Sequence, residues 1–495
     1  MSPHPDAPTA ALSAKVESFA SARILCIGDI MLDRFVYGTV SRISPEAPIP
    51  VLARTREDVM LGGAGNVVRN IVSLGAKACF ISVVGDDTTG RELIQLIGKE
   101  PRIEPYLLTA QGRPTTHKTR YIAGNQQLLR SDYETTAALS DELHDQILQL
   151  ATEELPNYQA LILSDYGKGL LTPRLTQALI TLANQLEIPV FIDPKQRNFA
   201  AYKGAFLLSP NLAELTRAAD KDACTDEAEL SRTAQSMLEA HQLSNLLVTR
   251  GKDGMSLFSA SQPPHHITAQ AREVFDVSGA GDTAIATLTV AYASGCALTE
   301  AAELANLAAG IVVGKLGTAT IHRTDLKTAL YTRDNSRSQS KILPQDLAAS
   351  TIKNWQAQGL QVGFTNGCFD LLHAGHLSLL QDASAQCDKL IVAINADASV
   401  KRLKGESRPL NNEIDRAMLL AAMDPVDLVV IFREDTPLEL LQLLKPDRLM
   451  KGADYTLEQV VGRELVEAYG GKTCLIPLRE GYSSTNLIKK AQLAP

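Results

Sequence analysis

Short apolar runs alternate with longer amphipathic stretches from Arg23 onward, fade after Thr320 and resume at Gln361. That rhythm constrains the fold most, because it is how parallel α/β layers are written, and its interruption cuts the chain into two such modules. The first module's strands are expected at Ile24–Ile27, Ala78–Val84, Ala160–Leu163, Val190–Ile192, Phe206–Leu208 and Leu246–Val248. Most are continuous apolar runs, as in strands covered on both faces. Phe35–Val59 and Pro105–Ser131 are polar, rich in β-branched and aromatic residues and interrupted by turn formers. They predict a small β lid over one edge of the main sheet. Residues 1–20 read as a mobile tail leading into a first helix, and polar Tyr331–Lys341 as a linker. A helix is expected at Pro344–Gln358, then strands at Gln361–Phe364, Leu390–Ile394, Leu428–Ile431, Arg448–Met450 and Thr473–Ile476. The domains are therefore 21–330 and 342–495, and the absence of an internal repeat makes the second a different module.

A chain of 495 residues exceeds one ordinary core, which agrees with two domains. The net charge of −8 argues against a nucleic-acid-coating protein but leaves room for a local phosphate site. Seven cysteines stand singly with no CxxC pair, and the histidines show no HExxH-like spacing. Buried thiols in a reducing compartment follow. With neither a basic–apolar leader nor an apolar run of about 20 residues, the expectation is a cytoplasmic protein without membrane insertion.

In the first module, DVSGAGDT (Asp276–Thr283) opens a helix of small residues. Gly279, Ala280 and Gly281 put consecutive N–H groups at a helix N-terminus, where anions bind. Asp282 lies within that turn, placed to take a proton from a hydroxyl while the amides hold the phosphoryl group in transfer. Asp29 and Asp33 follow the first strand and suit sugar hydroxyls. In LGGAGNVVRN, Gly62 and Gly63 make a turn from which Asn66 can reach a polyol. NLAE spans Asn211, Leu212, Ala213 and Glu214; its polar ends share a helical face and can order Mg²⁺-bound water beside a triphosphate. Thr249 and Gly251 in VTRGKDG, and Asn306, can wall a nucleotide base. Asp165, Lys168 and Lys195 follow strands, where they can meet ligand or form structural ion pairs. Arg120 and Arg130 border the lid, where solvated surface charges are the ordinary case and a substrate phosphate the alternative. No GxxxxGK[ST] occurs, so this is no P-loop kinase.

The second module opens with GFTNGCFDLLHAGHLSLL, a strand, tight loop and helix. His373 and His376 share the first helical turn, where imidazoles and the helix dipole can stabilise charge on a triphosphate attacked at its α-phosphorus. The attacker is a substrate phosphate oxygen, so no protein nucleophile is required. Thr365, Asn366, Gly367, Phe369 and Asp370 form the loop that would line the nucleotide. Lys404, Arg408, Arg416 and Lys451 offer cations, and Ser483, Ser484 and Thr485 open the last helix with hydroxyls for the triphosphate.

Residues 21–330 resemble the ribokinase-like carbohydrate kinases. The resemblance implies a three-layer α/β/α domain with a β lid, ATP and Mg²⁺, Asp282 as catalytic base and Gly279–Gly281 as an anion hole. Residues 341–495 resemble the HxGH nucleotidyltransferases of the glycerol-phosphate cytidylyltransferase type, which implies a Rossmann-like sheet and release of pyrophosphate. HxGH also occurs in class I aminoacyl-tRNA synthetases; the acidic pI, the short module and the missing KMSKS-like motif weigh against them. SRISPEAPIPV, NVVRNIVSLGA, VVGKLGTATI, TNGCFDLLHAGH and RLKGESRPLN together resemble the bifunctional heptose kinase/adenylyltransferases of Gram-negative bacteria. That family phosphorylates D-glycero-β-D-manno-heptose 7-phosphate at O1 and transfers AMP from ATP to the heptose 1-phosphate, giving ADP-heptose for the lipopolysaccharide core. It also implies a homodimer joined through the kinase lids. A kinase and nucleotidyltransferase acting on another sugar or polyol phosphate is the alternative.

Overall fold

The computed structural model describes residues 7–124, 126–221, 223–224, 226–269, 277–315, 319–333, 341–453 and 456–477. The chain divides into two compact units, Ala14–Leu326 and Lys327–Pro495 with Met1–Ser13.

The strands of the first unit are β1 (Arg23–Gly28), β2 (Ile30–Ile43), β3 (Pro50–Gly63), β4 (Lys77–Gly85), β5 (Ile103–Ala110), β6 (His117–Ala123) and β7 (Gln126–Tyr133). They continue with β8 (Ala160–Ser164), β9 (Val190–Asp193), β10 (Leu207–Leu208), β11 (Asn245–Thr249), β12 (Met255–Ser259) and β13 (Gln262–Ile267). Nine build the main sheet in the order β13-β12-β11-β10-β9-β8-β1-β4-β5. It is parallel from β11 to β5, and β12 and β13 add an antiparallel edge. Ile24–Ile27 are wholly buried, as their unbroken apolar run demands. Leu25, Ile27, Leu161 and Leu163 share a core with Ile147, Leu175 and Leu179, which come from the helices Asp141–Glu154 and Pro173–Gln185. Helices Ala64–Ser73 and Ala280–Ala293 also pack on β1 and on each other. Ala280–Ala293 is almost entirely buried, and its alanines and threonines let neighbouring helices approach closely.

The lid is a four-stranded sheet, β3-β2-β6-β7. β2 leaves β1 after one residue and pairs antiparallel with β3, placing Asp33 opposite Met60. The lid is smaller than expected on one side, because Pro105–Ala110 lie in β5 and pair with β4 at the edge of the main sheet. An edge tolerates Pro105, which lacks the N–H a central strand would need.

The N-terminal tail is more ordered than its composition implies. Ala7–Glu17 is helical, Ser18–Ser21 forms a 3₁₀ turn, and Val16 and Phe19 are fully buried. The linker also contracts. A helix spans Arg323–Arg333, and Tyr331 packs against the core of the second unit. At the other end Lys341 Nζ donates to the carbonyls of Met423 (3.2 Å) and Val426 (2.6 Å).

The second unit holds β14 (Val362–Gly367), β15 (Lys389–Asn395), β16 (Leu428–Phe432), β17 (Arg448–Gly452) and β18 (Lys472–Ile476). All are parallel, in the order β16-β15-β14-β17-β18. The winding direction reverses between β14 and β17, and the carboxyl ends there frame the crevice where such sheets take ligands.

Candidate active sites

In the first unit the strand ends collect the polar residues. β1 runs into Asp29, β8 into Asp165 and Tyr166, β9 ends on Asp193, Asn211 follows β10, and β11 ends on Thr249. Parallel register aligns these ends, with Gly28 beside Ser164 and Ser164 beside Asp193.

Asp282 is buried in the first turn of its helix. Gly279 caps that helix at φ 80°, a left-handed conformation that glycine adopts freely. Asn66 Nδ2 donates to Asp282 Oδ2 at 2.7 Å, and the Tyr166 hydroxyl donates to Oδ1. Burial raises the Asp282 pKa above the ordinary carboxylate value, the two donors oppose that shift, and Asp33 adds to it. Asn66 Oδ1 is buried without a protein partner, so the amide that holds the base still presents an acceptor.

Asp33 accepts from Arg120 Nη1 at 2.5 Å, and that guanidinium lies 5.0 Å from the centre of the Phe35 ring. Arg120 is thus nearly buried rather than a solvated lid charge, whereas Arg130 is exposed and paired with Asp132. A side chain at Gly62 would collide with the Asp33 carboxylate, and Gly63 sits at φ +58°. These two glycines bring β3 back against the site.

Asp29 differs from the expectation of a free sugar ligand. Its carboxylate accepts the amides of Tyr166, Lys168 and Leu170 at 3.2–3.3 Å. Burial nevertheless pushes its pKa up to about 6, with Asp165 adding to the rise. Asp165 accepts from Gly167 N and from the Tyr202 hydroxyl, completing the frame of the same turn. Lys168 reaches out to Glu134 (2.7 Å), which also pairs with Lys118 (2.9 Å).

On the nucleotide side, Asn211 and Glu214 form a reciprocal capping box at Leu212–Ala218, with Ala213 between them, and Lys195 Nζ lies 3.1 Å from Glu214 Oε1. Gly251 sits at φ +59° with open space where a side chain would be. Asn306 is committed to the Thr268 carbonyl at 2.9 Å. Two residues here escaped the sequence reading. Tyr166 lies in DYGKG, where Asp165 and Lys168 drew attention. Asp193 lies in IDPK, where Lys195 did. Loss of solvent raises the Asp193 pKa well above the carboxylate range; Asp282, Glu214 and Asp165 reinforce the rise and Lys195 opposes it. The available signal was position, since each is within three residues of an apolar strand run.

In the second unit, β14 ends on Gly367 and the helix Ala374–Ser384 starts behind His373. His373 is its N-cap: Nδ1 accepts the His376 amide at 3.3 Å. The imidazoles stack with centroids 3.8 Å apart, and Phe369, at φ 44°, lies 5.1 Å from His376. Burial, His373 and Lys404 push the His376 pKa down to about 4. Its Nδ1 is buried without a protein partner. Lys451 Nζ donates to the carbonyl (2.9 Å) and the side-chain oxygen (3.0 Å) of Asn366. Thr365 is buried within β14.

Arg416 requires correction as a phosphate ligand. It is fully buried, and its guanidinium donates to the carbonyls of Asn411 (3.1 Å), Cys368 (2.6 Å) and Asn395 (2.8 Å) and to Asp397 (2.7 Å). It clamps the loops after β14 and β15 instead. Asp370 is likewise occupied, by Arg408 Nε and the amides of Leu410 and Asn411. Ser483, Ser484 and Thr485 lie outside the described residues.

A pfkB family carbohydrate kinase model matches residues 21–325, and a cytidylyltransferase-like model matches residues 364–492. Phosphofructokinase-2 from Escherichia coli, solved with substrates and products, superposes with TM-score 0.54 at 21% identity, over 62% of this chain and 98% of its own. Ribokinase from Giardia lamblia gives 0.51 at 19%, over 62% and 99%. At such identity these structures share the fold. The class is thereby defined: a ribokinase-like sugar kinase joined to a nucleotidyltransferase. Bifunctional protein HldE of Paramagnetospirillum magneticum is 50% identical over 480 residues, 97% of this chain and 98% of that protein. That of Caulobacter vibrioides is 48% identical over 97% and 99%. The chain belongs to the HldE family of bifunctional proteins.

Proposed function

We propose that the first unit phosphorylates D-glycero-β-D-manno-heptose 7-phosphate at O1 with ATP, and that the second transfers AMP from ATP to heptose 1-phosphate, giving ADP-heptose and pyrophosphate. The observation that carries the kinase half is the buried Asp282 carboxylate, held by Asn66 and Tyr166 at the Gly279–Gly281 helix start. The O1 hydroxyl gives its proton to Asp282 as O1 bonds to the γ-phosphorus and ADP leaves. The amides of the Gly279–Gly281 turn face the transferred phosphoryl group. Asp33 and the unpaired Asn66 acceptor suit sugar hydroxyls, and Thr249 and Gly251 border the nucleotide.

Mg²⁺ fits this site through its hard oxygen donors. Loss of solvent, and then the neighbouring carboxylates of Asp282, Glu214 and Asp165, raise Asp193, and a divalent cation would relieve that crowding of acids. Asn211 and Glu214 would hold it through water, and it would neutralise charge on the triphosphate.

In the second unit a phosphate oxygen of heptose 1-phosphate attacks the α-phosphorus of ATP and pyrophosphate leaves. His373 and His376 face the growing charge, and Lys404 and Lys451 add cations at the rim. The kinase product also carries the 7-phosphate, so hydrolysis at O7 must intervene between the two reactions.

The product class points to the lipopolysaccharide core, and among the described residues no helix is long and apolar enough to cross a membrane. We place the enzyme in the cytoplasm, without nucleic-acid partners, with domains at 21–330 and 342–495. We assign it a homodimer joined through the lids, whose strands expose Ile43, Leu129 and Tyr133. The direct test is mass spectrometry of products from ATP, Mg²⁺ and a panel of sugar phosphates. Turnover of the heptose phosphates above the others supports the assignment, and preference for another sugar or polyol phosphate refutes it.

A further inference from the structure

We infer that Tyr166 is a positioning residue of the kinase reaction, fixing the Asp282 carboxylate in the orientation from which it accepts the sugar proton. The inference rests on Asp282 being the base. Asn66 Nδ2 holds Oδ2 and the Tyr166 hydroxyl holds Oδ1, so each oxygen has one donor and the carboxylate cannot rotate. Each oxygen also keeps acceptor capacity for an incoming hydroxyl.

Tyr166 is itself held on a frame. Its amide and those of Lys168 and Leu170 converge on Asp29, and Asp165 accepts from Gly167 N and Tyr202. Arg113 donates to the Lys168 carbonyl. Two buried carboxylates, a buried tyrosine and an arginine thus fix a turn whose hydroxyl meets the base. Asn66 from its helix and Tyr166 from this turn touch Asp282, and Asp33 from β2, Asp193 from β9 and Cys26 from β1 are the titratable groups within electrostatic reach of it. Burial, and then the charge of Asp33, disfavour ionised Asp282, while the two donors favour it. Tyr166 stays neutral, because burial and the surrounding carboxylates hold its ionisation well above the ordinary tyrosine value.

The test is Tyr166→Phe in the full chain, assayed for 1-phosphorylation of heptose 7-phosphate from about pH 5.5 to 9. The ring and its packing remain; one donor is lost. The expected result is a kcat lower by roughly ten- to a hundredfold, with KM for sugar and ATP within about twofold. The acid limb of the kcat profile should move to higher pH, because a base that has lost a donor protonates more readily. A purely structural tyrosine would leave that limb in place. Wild-type kcat with an unmoved limb overturns the inference. So does a raised KM at unchanged kcat, which would make Tyr166 a substrate contact. Asp282→Asn assayed alongside separates the premise: active Asp282→Asn removes the base itself, whereas inactive Asp282→Asn beside an unaffected Tyr166→Phe removes only the role of Tyr166.

Discussion

A buried carboxylate gains basicity from desolvation and loses some of it to every hydrogen bond it accepts. Asp282 stands under both influences, with Asn66 and Tyr166 opposing the effect of burial. Asp282→Asn keeps the shape but cannot accept the sugar proton, so kinase turnover should fall on the order of 10²–10⁴ while transfer of AMP to supplied heptose 1-phosphate continues. Coupled assays for ADP and for pyrophosphate on one preparation check this. His376 behaves oppositely: its pKa near 4 keeps the imidazole neutral from neutral pH down past the ordinary histidine value of 6.5. Histidine NMR titration of the ligand-free protein should show His376 unprotonated at about pH 5.5, and an imidazolium there would contradict the burial argument. Asp282, His373 and His376 drew attention in the sequence because glycine-rich turns advertise such positions. Arg416 was misread because a buried cation and a phosphate-binding one look alike in sequence, and only its four protein acceptors distinguish them.

At the scale of elements, the apolar strand runs and the polar lid strands were legible, and the boundary of the lid was not. Pro105–Ala110 read as lid because it carries polar and aromatic residues, yet β5 pairs along β4, and partial exposure at the sheet edge permits that composition. The N-terminal helix begins earlier than the expected tail allows, because its anchors, Val16 and Phe19, are few and scattered. The lid meets the turn that carries Tyr166 through Lys118–Glu134–Lys168. These ion pairs are partly exposed and worth modest energy, so Glu134→Ala should alter kinase kcat/KM by less than about fivefold. The loss should grow smaller at high salt, which screens such pairs in the wild type as well. A salt titration of both proteins is the check, and a salt-independent defect would assign Glu134 a different role.

At the scale of the whole molecule, the two units carry separate cores and separate sets of site residues. Polarity alone marked Tyr331–Lys341 as a linker, but Tyr331 packs on the second core and Lys341 ties down two carbonyls. A transferase fragment starting at Lys327 should therefore melt at a higher temperature than one starting at Ile342, by several degrees for a loss of about 1–2 kcal/mol. Calorimetry of the two fragments measures it. The central claim is two independent active sites in one chain. Its most direct test is product analysis by mass spectrometry of wild type, Asp282→Asn and His376→Ala, each given ATP and Mg²⁺ with heptose 7-phosphate or heptose 1-phosphate. The expected pattern is a crossed loss. Asp282→Asn makes ADP-heptose from heptose 1-phosphate but leaves heptose 7-phosphate unphosphorylated at O1, and His376→Ala does the reverse. Loss of both products in either variant, or of neither, would contradict it.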